Sequence, residues 1–351
     1  MSDSAPSWRS TTRPSSRTST RSSPASSGFP RRRSGASRRA RRSRHRSRRI
    51  SRSPGAATSP APTAIRRARR WRAGPTTRPD LLEIAAAARA RGITPNLTTN
   101  GALVTEDFAA RAATLFGQIN VSIDALPPFR VFGADKATPG MRAAAMLVRA
   151  GARVGVNVVV ARHNFDAIGP VVVWAAATGL VEVELLRLKP TGRARVRYLE
   201  ERLTREQRER LFPLALELAT RHGIPVKLDC SAAPFVACHA PDRERLEQFE
   251  VAGCIGSLSL LGIDERGMTS ACSFYPGGED DVLDLERGWE RSAAYAPFRE
   301  YVERAEEPCR SCAYLRTCRG GCRAVALFLT GRGDAPDPEC PRVEDHRCTQ
   351  P

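Results

Sequence analysis

From Asp80 onward, apolar residues return along the chain at regular intervals. Leu81, Leu82, Ile84 and Ala85 recur at helical spacing behind Asp80, which can cap a helix over Asp80–Arg91, and Gly92 supplies its stop. Ile93–Thr98 reads as a short strand closing at Thr98-Thr99-Asn100-Gly101. Thr105–Leu115 follows as a helix, Gln118–Ile123 as a strand ending at Ser122-Ile123-Asp124, and Gly140–Ala150 as a helix. Val154–Val160 is a nearly continuous β-branched run, the pattern of a strand buried on both faces. The spacing then predicts a helix over Phe165–Thr178, a strand over Val181–Arg187, a long amphipathic helix over Thr204–His222 and a strand over Pro225–Asp229. Strands alternating with helices of about 10–15 residues mark βαβ units around a parallel sheet. In such sheets ligands sit at the carboxyl ends of the strands. The polar residues there are Thr99 and Asn100, Ser122 and Asp124, Asn157 inside its strand, and Arg187 with Lys189. Each has an ordinary alternative in a turn, a loop cap or a solvated strand end, and their joint placement is what makes them candidates.

Composition changes this picture only at the amino-terminal end. The chain carries a net charge of +19, which by itself suggests a nucleic-acid partner. Its distribution argues against one. Residues 1–80 contain 22 Arg, no Lys and two acids, Asp3 and Asp80, whereas residues 81–351 balance 34 basic against 35 acidic residues. Residues 1–73 are mostly Ser, Arg, Pro, Ala and Thr, with no helical or strand period. Such a segment buries too little apolar surface to offset its ordering entropy and is expected to be disordered. It can be a solvated basic tail, an Arg/Ser tail that contacts RNA, or a stretch read out of frame. The chain holds only three Lys (Lys136, Lys189 and Lys227), a bias that fits GC-rich coding DNA, and the out-of-frame reading is preferred. No stretch of about 18 apolar residues occurs, so no membrane span is expected, and the absence of a signal-type apolar core predicts a cytoplasmic protein.

The candidate chemistry lies in the cysteines. All ten fall between Cys230 and Cys348. Cys309-x2-Cys312-x5-Cys318-x3-Cys322 is followed, after a gap of 17 residues, by Cys340, and upstream stands Cys254-x12-Gly267-x4-Cys272. Clustered thiols in a reducing compartment bind metal more often than they form disulfides. Gly320 and Gly321 can take positive φ and let the backbone wrap a cluster, while Arg316 and Arg319 can offset thiolate charge. Structural zinc is the rival, but zinc sites use two close pairs, and the x5 and x3 gaps fit that pattern poorly. Cysteine-ligated iron–sulfur clusters fit better.

The order of seven cysteines and one glycine resembles the SPASM domain of radical S-adenosylmethionine (SAM) enzymes. The resemblance covers roughly residues 74–345. It implies an α/β fold, an incomplete (β/α)6 radical-SAM-type partial barrel with a carboxy-terminal cysteine-rich SPASM domain. The corresponding organisation is 1–73 tail, 74–229 barrel and 230–351 iron–sulfur domain. It implies two auxiliary [4Fe–4S] clusters, one on Cys309, Cys312, Cys318 and Cys340, the other on Cys254, Cys272 and Cys322. The fourth ligand of the second is left open between Cys230, Cys238 and a site facing substrate, and Cys348 lies beyond the pattern. Thr99-Asn100-Gly101, Ser122-Ile123-Asp124 and Leu188-Lys189-Pro190-Thr191-Gly192 resemble segments at strand ends in the family. Ser122, Asp124 and Asn157 look like its SAM contacts, with Thr99, Asn100 and Arg187 as further cofactor-binding candidates.

The family's defining Cys-x3-Cys-x2-Cys, whose cluster delivers the electron that cleaves SAM to a 5′-deoxyadenosyl radical, has no counterpart, because no Cys precedes Cys230. Ala73-Gly74-Pro75-Thr76 stands where the resemblance places a Gly-Gly-Glu-Pro motif. A frameshift or misplaced start near residue 75 is the expectation that explains both. The resemblance thus implies a SAM-dependent radical enzyme that modifies a peptide or related substrate with a reductase as electron donor, in a chain not itself competent to cleave SAM. The competing class is a zinc-containing RNA-binding protein with a basic tail. It is weakened by the tail's few aromatics, Trp8, Phe29 and Trp71.

Overall fold

The computed structural model describes residues 74–128, 137–249, 251–276 and 280–349, all within one compact unit. The expected tail over 1–73 lies outside the described residues. Five strands, β1 (Leu97–Thr99), β2 (Ile119–Ser122), β3 (Val154–Val160), β4 (Glu182–Arg187) and β5 (Val226–Leu228), form one all-parallel sheet in sequential order. They are connected by α1 (Leu81–Ala90) before the sheet and then α2 (Glu106–Leu115), α3 (Ala137–Arg149), α4 (Ile168–Thr178), α5 (Ala194–Glu201) and α6 (Arg205–His222). Sequential order with helical crossovers is the βαβ arrangement that the alternating pattern predicts.

Side chains alternate across a strand, so the sheet has two faces of different character. Ile119, Val121, Val154, Val156, Val158, Val183, Leu185, Val226 and Leu228 are buried in one core with Ala109, Ala143, Leu147, Val171, Ala175, Leu211 and Ala215 of the helices. Fully burying a Val or Leu contributes about 1.5–3 kcal/mol, so this layer is the main store of stability. The other face carries Asn120, Ser122, Asn157, Glu182, Glu184 and Lys227, brought side by side by the register Ser122↔Asn157, Asn157↔Glu184 and Glu184↔Lys227. β3 covers the full valine-rich run. β1 begins four residues later than its pattern suggests, because Pro95 offers no N–H to a ladder.

Helix ends follow local chemistry. Thr204 accepts the Gln207 N–H while the Gln207 side chain accepts the Thr204 N–H, a reciprocal cap at the start of α6. Thr105 accepts the Phe108 N–H at the start of α2. Asp80 is not a side-chain cap; its carboxylate pairs instead with Arg78 at 2.7 Å. The helix expected over Phe165–Thr178 begins at Ile168 and is preceded by a 3-10 segment, Arg162–Ala167, tied by Asn164, which accepts the Ala161 N–H and donates to the Asp124 carbonyl. α5 has no clear apolar period and buries one large residue, Tyr198.

Beyond β5 the elements shorten. α7 (Ala233–Ala237), α8 (Arg243–Gln248) and a two-residue hairpin of β6 (Gly262–Ile263) and β7 (Thr269–Ser270) lead to α9 (Leu285–Arg291), α10 (Ala296–Arg299), α11 (Tyr301–Arg304), α12 (Leu315–Cys318), α13 (Arg323–Thr330) and α14 (Pro341–Thr349). Gly267, the glycine of the cysteine pattern, turns the hairpin at φ 83°. No helix among the described residues is long and apolar enough to cross a membrane.

Candidate iron–sulfur and cofactor site

Four of the predicted ligands share one cavity. Cys309, Cys312, Cys318 and Cys340 line it, with Pro234, Ala237, Pro308, Leu315 and Val343 as apolar walls. The chain reaches this geometry by short-range turns: the Cys312 N–H donates to the Cys309 carbonyl, Leu315 N–H to Cys312, and Gly321 N–H to Cys318. Gly320 and Gly321 take φ of 72° and 81°. A Cβ at Gly320 would stand 2.1 Å from the Tyr301 ring and one at Gly321 2.5 Å from Asp337, so both conformation and space require glycine. Burial raises the Cys309 and Cys318 thiols and pushes Cys340 up to about 12. Such thiols ionise when metal displaces the proton. Among the described residues no three His, Cys, Asp or Glu converge closely enough to hold one metal ion. Four thiols around a common cavity are the donor set that a cysteine-ligated iron–sulfur cluster takes.

The second thiol set lies where the sheet meets the cysteine-rich segment. Cys254 and Cys272 pack around Ala271, Tyr295 and Phe298, and Cys322 packs with Tyr198, Ala324 and Val325. Burial pushes the Cys254 thiol up to about 11, and Cys322 and Cys272 are near enough to add to it. The Tyr198 hydroxyl is buried without a hydrogen-bond partner. A buried donor of this kind calls for an acceptor, and a cluster sulfide or thiolate at Cys322 would be one. Residues and surroundings therefore fit a thiolate-ligated cluster here as well.

Arg187 joins the two regions. Although predicted to bind cofactor, it projects from the core side of β4, 3 % exposed. Its Nη1 donates to Asp337 Oδ2 (2.6 Å) and to the Ser231 carbonyl (2.8 Å); its Nη2 donates to Asp337 Oδ1 (3.1 Å) and Glu339 Oε2 (2.7 Å). Asp337 Oδ2 also accepts the Cys322 N–H at 2.9 Å. Lys189 pairs with Asp229 and lies 4.6 Å over the Phe274 ring. Two buried cations thus flank the second thiol set. Arg323, 1 % exposed, donates to the Ala335 carbonyl at 3.0 Å and stacks 3.9 Å over Tyr301. Sequence patterns missed the Arg187–Asp337–Glu339 network, because the two carboxylates lie 150 and 152 residues beyond Arg187 in the chain.

The remaining cofactor candidates cluster at strand ends. Ser122 and Asn157 are register partners, and Asn157 Oδ1 accepts from Asn120 Nδ2 at 2.7 Å. Asp124 accepts the Val159 N–H at 3.0 Å and so ties the β2 exit loop to β3. Thr99 is buried and accepts the Gly101 N–H at 3.1 Å; Asn100 accepts the Ala102 N–H at 3.0 Å. Sequence reading overlooked the neighbours of this group. Gln118 bridges Asn120 (2.9 Å) and Glu182 (2.6 Å), and Lys227 pairs with Glu182 at 3.1 Å. Burial, then Asp229 and Glu182, hold the Glu184 carboxyl above its ordinary range. The alternation Ile-Asn-Val-Ser in β2 was the available signal for this polar face.

No family model matches the chain. Among curated proteins it is 26% identical over 290 residues to the mycofactocin maturase MftC of Mycobacterium tuberculosis, covering 78% of this chain and 69% of that protein. It is 29% identical over 285 residues to the PqqA peptide cyclase of Methylocella silvestris, covering 78% and 73%. Among solved structures it is similar to Streptococcus suis SuiB bound to S-adenosylmethionine, with TM-score 0.60, 17% identity and coverage of 76% of this chain and 64% of that one. It is also similar to anSMEcpe with bound AdoMet, with TM-score 0.56, 17% identity and 76% of each chain. The chain thus spans just under two thirds of the SuiB chain. Fold, thiol pattern and relatives resemble those of the radical SAM enzymes with a SPASM-type iron–sulfur domain. The chain is a homologue of these enzymes, with the partial-barrel sheet and the cysteine-rich segment as its two recognisable parts.

Proposed function

We propose that this chain is the auxiliary-cluster-binding portion of a radical SAM/SPASM enzyme acting on a peptide, and that as written it loads clusters without cleaving SAM. The observation that carries the reading is the gathering of Cys309, Cys312, Cys318 and Cys340 around one cavity. These four would hold one [4Fe–4S] cluster, and Cys254, Cys272 and Cys322 would hold a second. When bound, such clusters supply one-electron transfer or a substrate-binding iron. The chain's own contribution is positional. Arg187 and Lys189 set positive charge beside the Cys322 set, and the apolar walls exclude water from the other. Ser122, Asp124, Asn157, Thr99 and Asn100 form the polar rim at the strand ends where SAM would lie. The peptide substrate class rests on the PqqA peptide cyclase and on SuiB, which has also been solved bound to the precursor peptide SuiA. The lack of SAM cleavage rests on the absence of any Cys before Cys230.

Anaerobic reconstitution with iron and sulfide tests both parts. The expected product is brown, with about eight iron and eight sulfide per chain for two clusters, and yields no 5′-deoxyadenosine from SAM under reduction. Stoichiometric zinc without inorganic sulfide would sink the cluster reading. Formation of 5′-deoxyadenosine would sink the second part.

A further inference from the structure

We infer that Cys230 is the fourth thiolate of the site formed by Cys254, Cys272 and Cys322. The inference rests on the cluster reading above and adds to it a ligand that the spacing of the cysteine pattern leaves open. Cys230 opens the one-turn 3-10 helix that follows β5, between Asp229 and Ser231. Both neighbours are fastened to the same site. The Ser231 carbonyl accepts from Arg187 Nη1 at 2.8 Å, Nη1 donates to Asp337 Oδ2 at 2.6 Å, and Asp337 Oδ2 accepts the Cys322 N–H at 2.9 Å. One guanidinium and one carboxylate oxygen therefore link the backbones of residues 231 and 322. On the other side, Asp229 binds Lys189, whose ammonium lies 4.6 Å from the Phe274 ring centroid, and the Phe274 N–H donates to Cys272 Sγ at 3.5 Å. The Cys230 thiol is thus bracketed by chains of contact leading to Cys322 and to Cys272. Its electrostatic neighbours agree. Burial, then Asp229, then Cys254 raise its pKa, Cys322 adds to the rise, and Lys189 opposes it.

The other candidate points elsewhere. Cys238 donates to the Phe235 carbonyl at 3.2 Å, and its charged neighbours are Glu209 and Arg205 of α6. Next to it, His239 is bonded to the Glu209 carbonyl at 2.7 Å. Arg187 and Lys189, although paired with buried carboxylates, are the buried cations that face Cys322.

The experiment compares the full chain with Cys230→Ala, Cys230→Ser and Cys238→Ala after anaerobic reconstitution, reading iron and sulfide per chain and the electron paramagnetic resonance spectrum of the reduced protein. Cys230→Ala is expected to lose about half the iron and sulfide, one of two clusters, or to keep the iron with one altered signal. The signal of the Cys309–Cys340 cluster should persist in that variant and report intact folding. Cys230→Ser should retain iron with a shifted signal, since a serine oxygen can replace the sulfur, and Cys238→Ala should match the parent. Iron content and spectra of Cys230→Ala identical to the parent would overturn the assignment while leaving the clusters standing. A parent chain that loads no iron–sulfide overturns the cluster reading and this one with it.

Discussion

The sheet layer and the cysteine-rich segment are built on opposite economies of contact. In the sheet layer, helices α1 to α4 and α6 cover an aliphatic face whose valines and leucines are almost wholly buried, and the chain is ordered by apolar area. In the segment after Ala233, α10, α11 and α12 are four residues each, the hairpin strands are two, and the apolar clusters are small. What orders that segment is directional: the Arg187–Asp337–Glu339 pairs, Arg323 on the carbonyls of Gly333 and Ala335, and thiols aimed into shared space. Apolar area tolerates local change; directional networks fail when one member goes. A layer of the first kind can fold on its own terms, while a segment of the second kind needs its partners and its clusters.

The largest effect should come from removing iron. Chelation of the reconstituted chain is expected to raise hydrogen exchange across 254–340 by orders of magnitude while β2, β3 and β4 stay protected; equal protection in both regions would erase the contrast. Next comes Arg187→Leu. It leaves Asp337 buried without its cation and Glu339 with Arg202 alone, 3.2 Å away, and breaking such a pair costs about 3–5 kcal/mol. Thermal denaturation and protease sensitivity of the cysteine-rich segment measure it. Leu185→Ala, on the same strand and fully buried, should cost about 2–5 kcal/mol through transfer and cavity terms. The two variants sharpen the comparison by where they act: Leu185→Ala should lower the stability of the whole, and Arg187→Leu should free the segment first. Glu184→Gln should have the smallest effect and the opposite sign. Glu184 keeps its proton to higher pH when folded than when unfolded, so below its ordinary value of 4.5 the parent and variant should match. As pH rises past that value the unfolded chain ionises first, stability of the parent falls, and the variant should melt higher at pH 7. A melting difference that is the same at pH 4 and pH 7 would contradict the raised carboxyl.

Much of the sheet layer was legible because its signals are local. The valine run of β3 spans the same residues in the sequence pattern and in the structure, and Thr105 and Thr204 mark the starts of α2 and α6. α5 was not legible: Val196 and Leu199 of Ala194–Glu201 face outward, and Tyr198 is buried against Ala324, Val325 and Phe328, more than 120 residues away in the chain. Arg187 shows the same limit at the site. Its position at a strand end is visible in the sequence, and its engagement by Asp337 and Glu339 is not.

The sequence by itself determined the alternation of strands and helices, the confinement of the net positive charge to the first 80 residues and the spacing of the seven cysteines, because each is read directly along the chain. The tertiary structure decided which thiols share a cavity, which face of the sheet is polar, and that Cys230, and not Cys238, adjoins the Cys322 set. Those outcomes depend on groups far apart in the chain meeting across a packed interface, and no local pattern encodes such a meeting.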